Sequence, residues 1–229
     1  MHARRVVRTV PYSDFGGDME GCFDDGTVLM KRGQPSLGKV PSFEVRLYRL
    51  GLDGRLVHAF PAFQFRSPSM VTHMVHPSFR VAGQRVYISD GATSEIRVYR
   101  ADGRLIQIIR SADRPRRITA GHVERELQGP SRAFRGRWHP ETYPTYTTFL
   151  VDPNGRVWVE DFETVRGEKA GWTAFDPQRR LIGRLEVPRK TGKSHATVVG
   201  FGKDEVQILS TDEDGFAHLV FDPLTRISR

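Results

Sequence analysis

The chain repeats a strand-turn-strand signature. Glu44-Val45-Arg46-Leu47-Tyr48 runs into Asp53-Gly54-Arg55-Leu56, and Glu95-Ile96-Arg97-Val98-Tyr99 runs into Asp102-Gly103-Arg104-Leu105. In each copy an alternating segment, the pattern of a strand buried on one face, is followed by Asp-Gly, a dipeptide suited to a tight hairpin. The copies lie about 50 residues apart, and a repeat of that length built from several short strands reads as one blade of a β-propeller.

Four such units can be laid out. The first has strands at 19–23, 27–30, 43–50 and 55–60, and the second at 78–81, 85–89, 95–100 and 104–109. The third has them at 147–151, 156–162, 172–176 and 181–187, and the fourth only at 196–201, 205–209 and 218–222. The expected fold class is therefore all-β, a β-propeller of about four four-stranded blades with one short helical insertion. Residues 1–229 read as a single propeller domain, and residues 111–146 as an insertion between the second and third blades. Within it, Thr119 as N-cap with Ile118 and Val123 as a hydrophobic staple predicts a short helix, which Gly129-Pro130 stops after Leu127. Residues 4–10 alternate but have no place in the first blade, whereas the fourth lacks an outer strand. The two are expected to pair, with Val6 or Val7 against Leu219 and Phe221, because an open edge leaves a row of unpaired backbone groups.

The run Val86-Tyr87-Ile88-Ser89-Asp90, with Glu95-Ile96-Arg97-Val98-Tyr99 and Asp102-Gly103-Arg104-Leu105, resembles the NHL-type repeat of six-bladed β-propellers. It is most similar to bacterial six-bladed propeller proteins of unknown function that carry an arginine-rich helical insertion after the best-formed blade. The strong match covers residues 85–109, with weaker echoes at 24–30, 152–159, 172–181 and 205–222. Because the chain holds about four blades, the resemblance implies that roughly two N-terminal blades are missing from it.

No stretch approaches the ~18 apolar residues that span a bilayer, so no membrane span is expected. The N-terminus enters an alternating segment without an apolar core or cleavage site, so the chain as written carries no export signal. The compartment stays open, since the resemblance leaves room for exported full-length relatives. A single cysteine, Cys22, excludes an intramolecular disulfide and is expected to pack as a small buried hydrophobe. The formal charge is +8, and residues 104–137 hold nine arginines against Asp113, Glu124 and Glu126. Such a cluster suits a polyanion-binding surface, or is a solvated insertion.

Candidate chemistry is sparse. Thr191-Gly192-Lys193-Ser194 looks like the end of a phosphate-binding loop, but the required first glycine is Val187 and a strand follows in place of a helix, so it reads as a turn. His73 and His76, with His58 further off, lack the converging ligands a metal site needs. Asp90, Glu160 and Asp161 stand at the ends of second strands, near the mouth of the ring. Carboxylates gathered there would bind a cation or act as acid and base, as the likeness to lactonase-type propellers suggests; equally, an Asp at a strand end caps its own turn. Arg132, Arg135, Arg137 and Trp138 interleave cations with an aromatic and would hold phosphates or stack a ring.

The reading that follows is a noncatalytic propeller that binds a protein partner or small-molecule ligand, identity open, on the face covered by the insertion. No cofactor and no metal are expected. One alternative is a metal-assisted hydrolase of the lactonase or esterase type using the funnel carboxylates. Another is nucleic-acid or other polyanion binding through the arginine cluster.

Overall fold

The structure is a computed structural model and describes residues 16–36, 42–66, 77–91, 93–110, 115–126, 141–163, 167–191 and 194–224. These form four antiparallel sheets standing round a common axis as a four-bladed β-propeller. The first blade holds β1 (Asp18–Cys22), β2 (Val28–Ser36), β3 (Ser42–Leu50), β4 (Leu56–Ala59) and β5 (Phe63–Arg66). The second holds β6 (Ser78–Ala82), β7 (Arg85–Ser89), β8 (Glu95–Arg100) and β9 (Leu105–Arg110). After helix α1 (Ala120–Glu126) comes the third, with β10 (Tyr146–Val151), β11 (Val157–Asp161), β12 (Lys169–Phe175) and β13 (Leu181–Pro188). The fourth holds β14 (Lys190–Thr191), β15 (Ser194–Phe201), β16 (Glu205–Thr211) and β17 (Ala217–Pro223).

The expected strands are found, with two additions. In the first blade the outer position is filled by two pieces: β4 pairs with the end of β3 (Tyr48↔Ala59) and β5 with its start (Val45↔Phe63). Pro61 lies at the break, where it has no N–H to give the ladder. In the fourth blade the two-residue β14 folds back on the start of β15, pairing Thr191 with Ser194. A strand follows Ser194, so this segment is not a phosphate-binding loop.

Alternation decides which side chains are buried. Along β8, Ile96 and Val98 are buried while Arg97 faces water, and along β12 Ala170, Trp172 and Ala174 point one way into the core. These faces meet between blades. Leu29, Leu47 and Phe65 of the first blade pack on Phe79, Val86 and Ile88 of the second. Tyr87, Val98 and Ile109 pack on Phe149, Val157 and Val159 of the third. Trp158 and Trp172 pack on Phe201, Val206 and Ile208 of the fourth, with Trp158 flat on the Phe201 ring at 4.1 Å. Each such side chain contributes about 1.5–3 kcal/mol by leaving water.

The first blade is apolar on both faces: Val28, Met30 and Leu50, on the side away from the second blade, are buried as well. The fourth is not covered in the same way. Leu209, Leu219 and Phe221, on its face away from the third blade, are 40%, 52% and 54% exposed. Residues 4–10, expected to complete this blade, lie outside the described residues.

The hairpins share one device. Asp53 and Asp102 each accept the N–H two residues on, from Arg55 and Arg104, at 3.1 Å. Asp212 accepts the N–H groups of Asp214 and Phe216 at 3.0 and 2.8 Å. The Arg104 N–H holds the Asp102 carboxyl below the ordinary aspartate value of 3.8, and His218 with the Phe216 N–H does the same for Asp212. Gly103 is required at its turn twice over: its φ is +81°, and a Cβ there would lie 2.4 Å from Nε2 of His58 on the neighbouring blade. Arg179 takes a left-handed conformation, φ 72°, at the turn position that Gly155 fills in the preceding hairpin.

Asp152 does more than turn a chain. Its side chain is 0% exposed. Oδ1 accepts the Asn154 and Arg156 N–H groups at 2.9 Å, and Oδ2 accepts Trp158 Nε1–H at 3.1 Å and Arg156 Nε–H. Arg156 then reaches across to the fourth blade, donating Nη2–H to the Lys203 carbonyl at 2.6 Å. Asp152→Ala leaves a guanidinium and an indole N–H without their acceptor and is expected to cost about 3 kcal/mol in urea denaturation. Asp53→Ala, at an exposed turn, should cost less than about 1 kcal/mol; equal costs would contradict this ranking.

Candidate functional site

The propeller has two ends. One carries the β1–β2, β6–β7, β10–β11 and β15–β16 turns. The other carries the starts of the inner strands, the loops after β7 and β11, and the long segment between β9 and β10. This second end holds the carboxylates picked out from sequence.

The structure gives each of them local partners and does not gather them. Asp90 Oδ1 accepts the N–H and the hydroxyl of Thr93, both at 2.8 Å, so this carboxylate closes its own turn. Glu160 and Asp161 are consecutive on β11 and so point to opposite faces of the blade. Asp161 accepts the Thr173 hydroxyl at 3.0 Å and pairs with Arg184 on the side facing the second blade. Glu160 faces the fourth blade, where Arg189 Nη2 lies 3.0 Å from its carboxylate and 3.7 Å from that of Glu163. Among the described residues no three His, Cys, Asp or Glu side chains are placed to hold a metal ion. His73, His76, Arg132, Arg135, Arg137 and Trp138 lie outside the described residues.

His58 is an inter-blade packing group. It meets Phe60 edge-on at 5.0 Å and presses against the Gly103 turn.

A buried hydroxyl pair that alternation alone does not reveal ties the second blade to the third. Ser89 Oγ and Tyr146 Oη are 2.6 Å apart, Gly91 N–H donates to Ser89 Oγ at 3.0 Å, and Tyr146 O–H donates to the Glu95 carbonyl at 3.1 Å. Burial pushes the Tyr146 hydroxyl far above its ordinary pKa, so it stays a neutral donor. The void beside it, about 30 Å³, has room for a water molecule or two and not for a ligand.

Larger openings lie elsewhere among the described residues, and two matter here. The first, about 680 Å³, lies between the third and fourth blades at this end, lined by Thr148, Glu160, Trp172, Arg189 and Thr197. The second, about 970 Å³, opens at the other end of the axis and is lined from all four inner strands, by Glu20 and Cys22 of β1, Arg80 of β6, Val151 of β10 and Gly200 of β15. Cys22, expected to be buried, is exposed in this wall. Alternation buries a strand's side chain only where another sheet covers it, and β1 turns one side toward the axis.

The base of the long segment is fastened to the end that holds Glu160 and Asp161. Ile118 N–H donates to the Glu141 carbonyl and Tyr143 N–H to the Arg116 carbonyl, both at 2.8 Å, with Arg117 bridging Thr142. Tyr143 then stacks on Phe162, the residue after β11, at 5.2 Å. The helix begins directly after Thr119, whose carbonyl accepts the Val123 N–H, as the N-cap reading requires. Leu127, where the helix was expected to end, lies outside the described residues.

No family model and no curated protein matches the chain. Among solved structures it is similar to a protein of unknown function from Bacteroides caccae, at 11% identity and a TM-score of 0.40, over 87% of this chain and 65% of that one. It is also similar to a mutant of the Synechocystis apocarotenoid oxygenase, at 12% identity and a TM-score of 0.37, over 89% and 48%. The chain thus spans about half to two thirds of the length of these structures.

The Glu160–Arg189–Glu163 cluster distinguishes a structural role from an available one. Arg189→Met leaves two partly buried carboxylates facing each other and should destabilise by about 2 kcal/mol in urea denaturation. Glu160→Gln should cost only about 1 kcal/mol, because Glu163 remains to Arg189. A free, unengaged Glu160 would instead give no coupling between the two substitutions in a double-mutant cycle.

Proposed function

We propose that this chain is a noncatalytic binding propeller that engages a small ligand or protein partner on the end carrying the segment between β9 and β10. The observation that carries the reading is the fastening of that segment. Its two stems are zipped by backbone hydrogen bonds and stacked on the third blade through Tyr143 and Phe162, which is more than a passive excursion of the chain requires. Loops held by a rigid scaffold are the usual place for recognition.

The carboxylates at this end favour binding over acid-base chemistry. Asp90, Glu160 and Asp161 each answer to a threonine or an arginine, whereas a hydrolytic pair needs carboxylates converging on one reacting atom. Of the three, Glu160 lines a cavity large enough for a ligand. The reading assigns further contacts to Arg132, Arg135, Arg137 and Trp138, which lie between the stems in sequence. The six-bladed, NHL-type likeness fits this proposal, since a longer ring would present the same end.

Residues 119–140 can be removed and Ile118 joined to Glu141 through two glycines, because the two are already hydrogen-bonded neighbours. The shortened protein should keep its far-UV spectrum and melt within a few degrees of the full chain. Mass spectrometry of the small molecules and proteins each form retains should show species held by the full chain and lost by the deletion. Identical retained sets, or a deletion that unfolds the blades, would overturn the assignment.

A further inference from the structure

The opening at the opposite end of the axis holds a cation that forms no ion pair among the described residues. Arg80 sits on the inner strand β6, half-buried. One of its Nη1 hydrogens goes to the Phe79 carbonyl at 2.7 Å, and its guanidinium lies over the Phe149 ring at 5.9 Å. It makes no ion pair with any described carboxylate. A guanidinium carries five N–H donors in a planar fork, and Arg80 gives one hydrogen bond among the described residues.

The other charged groups round this opening do not answer it. Glu20, the carboxylate facing Arg80, is held by Lys31 Nζ at 2.5 Å. Asp152 lines the opening too, but its oxygens are filled by the Asn154 and Arg156 N–H groups, the Arg156 side chain and Trp158. Arg85 adds a second positive charge at the rim against Asp24. Burial pushes the Arg80 guanidinium down from its ordinary value, with Glu20 opposing in part, as expected of a cation short of partners.

We propose that the axial opening lined by Arg80 is a binding site for a small-molecule oxyanion, a carboxylate or a phosphate, received by the guanidinium fork of Arg80. The planar fork matches two oxygens of either group, and a partly desolvated guanidinium gains more from such a pair than one in water. At about 970 Å³ the opening holds a metabolite-sized molecule. The site lies at the end away from the β9–β10 segment and stands whether or not that segment binds a partner.

Cys22, the chain's one cysteine, is exposed in the same wall and reports on it. Its rate of reaction is compared for an anionic aryl disulfide, dithiobis-nitrobenzoate, and a neutral one, dithiodipyridine, at constant ionic strength. The intact chain should favour the anionic reagent by at least about threefold relative to Arg80→Gln, because a fixed cation concentrates anions near it. Arg97→Gln, an equal loss of charge on β8, should leave the preference unchanged.

Millimolar inorganic phosphate or succinate should slow the anionic reagent in the intact chain and have no effect in Arg80→Gln. Whichever of the two protects at lower concentration identifies the source of the oxyanion. A preference and protection that survive Arg80→Gln would overturn the proposal. So would failure of both anions to protect the intact chain, a measurement that needs no variant to fold.

Discussion

A twisted four-stranded sheet with two apolar faces can be stable in water only if each face is covered by another such sheet. That constraint organises this molecule. Phe79, Val86 and Ile88 of the second blade complete the face of the first, and Phe149, Val157 and Val159 of the third complete the second. The stacked Trp158 and Phe201 join the third to the fourth. Because the sheets share one hand of twist, successive face packing turns the blades round an axis, and the inner strands are left to line it.

Polar groups then fix what apolar packing leaves loose. Hydrophobic faces slide with little penalty, but the contacts from Arg156 to the Lys203 carbonyl, from Gln107 to the Pro177 carbonyl and from Tyr146 to Ser89 each hold at one relative position of two blades. Arg156 is itself aimed by the buried Asp152, so a turn-forming aspartate becomes an inter-blade anchor. The same economy accounts for the charged end groups of β11. Glu160 and Asp161 lie where a propeller could do chemistry, yet each is matched by an arginine, Asp161 by Arg184 of β13 and Glu160 by Arg189 just after that strand. Arg80, the axial cation without an ion pair among the described residues, has different surroundings: it is held by an aromatic ring and a carbonyl rather than by a carboxylate.

The blades were legible because they rest on short-range rules. Alternation in residues 95–100 and the Asp-Gly turns at 53–54 and 102–103 are properties of adjacent residues, and they survive folding intact. What escaped depends on distant partners. The break at Pro61 hid the continuation of the outer strand as β5, and the Ser89–Tyr146 pair spans 57 residues. Cys22 departs from the burial expected of it because burial along an inner strand depends on which side meets a neighbouring sheet, and sequence spacing does not carry that. Asp90, Glu160 and Asp161 could be placed at strand ends from sequence, but not matched to Thr93, Arg189 and Arg184. Arg80 had no local signal at all: an arginine in an alternating strand looks solvated until the axis is built.

If inter-blade burial holds the molecule together, the blades must open together. Native-state hydrogen exchange followed by mass spectrometry measures this directly. Peptides covering β2, β7 and β11, each flanked by sheet on both sides, should exchange with one shared free energy equal to that of global unfolding in urea. Those covering β17, whose side chains are exposed along its length, should exchange faster. Blades that exchanged with separate free energies, each unaffected by loss of its neighbour's core through a substitution such as Phe79→Ala or Phe201→Ala, would contradict the account.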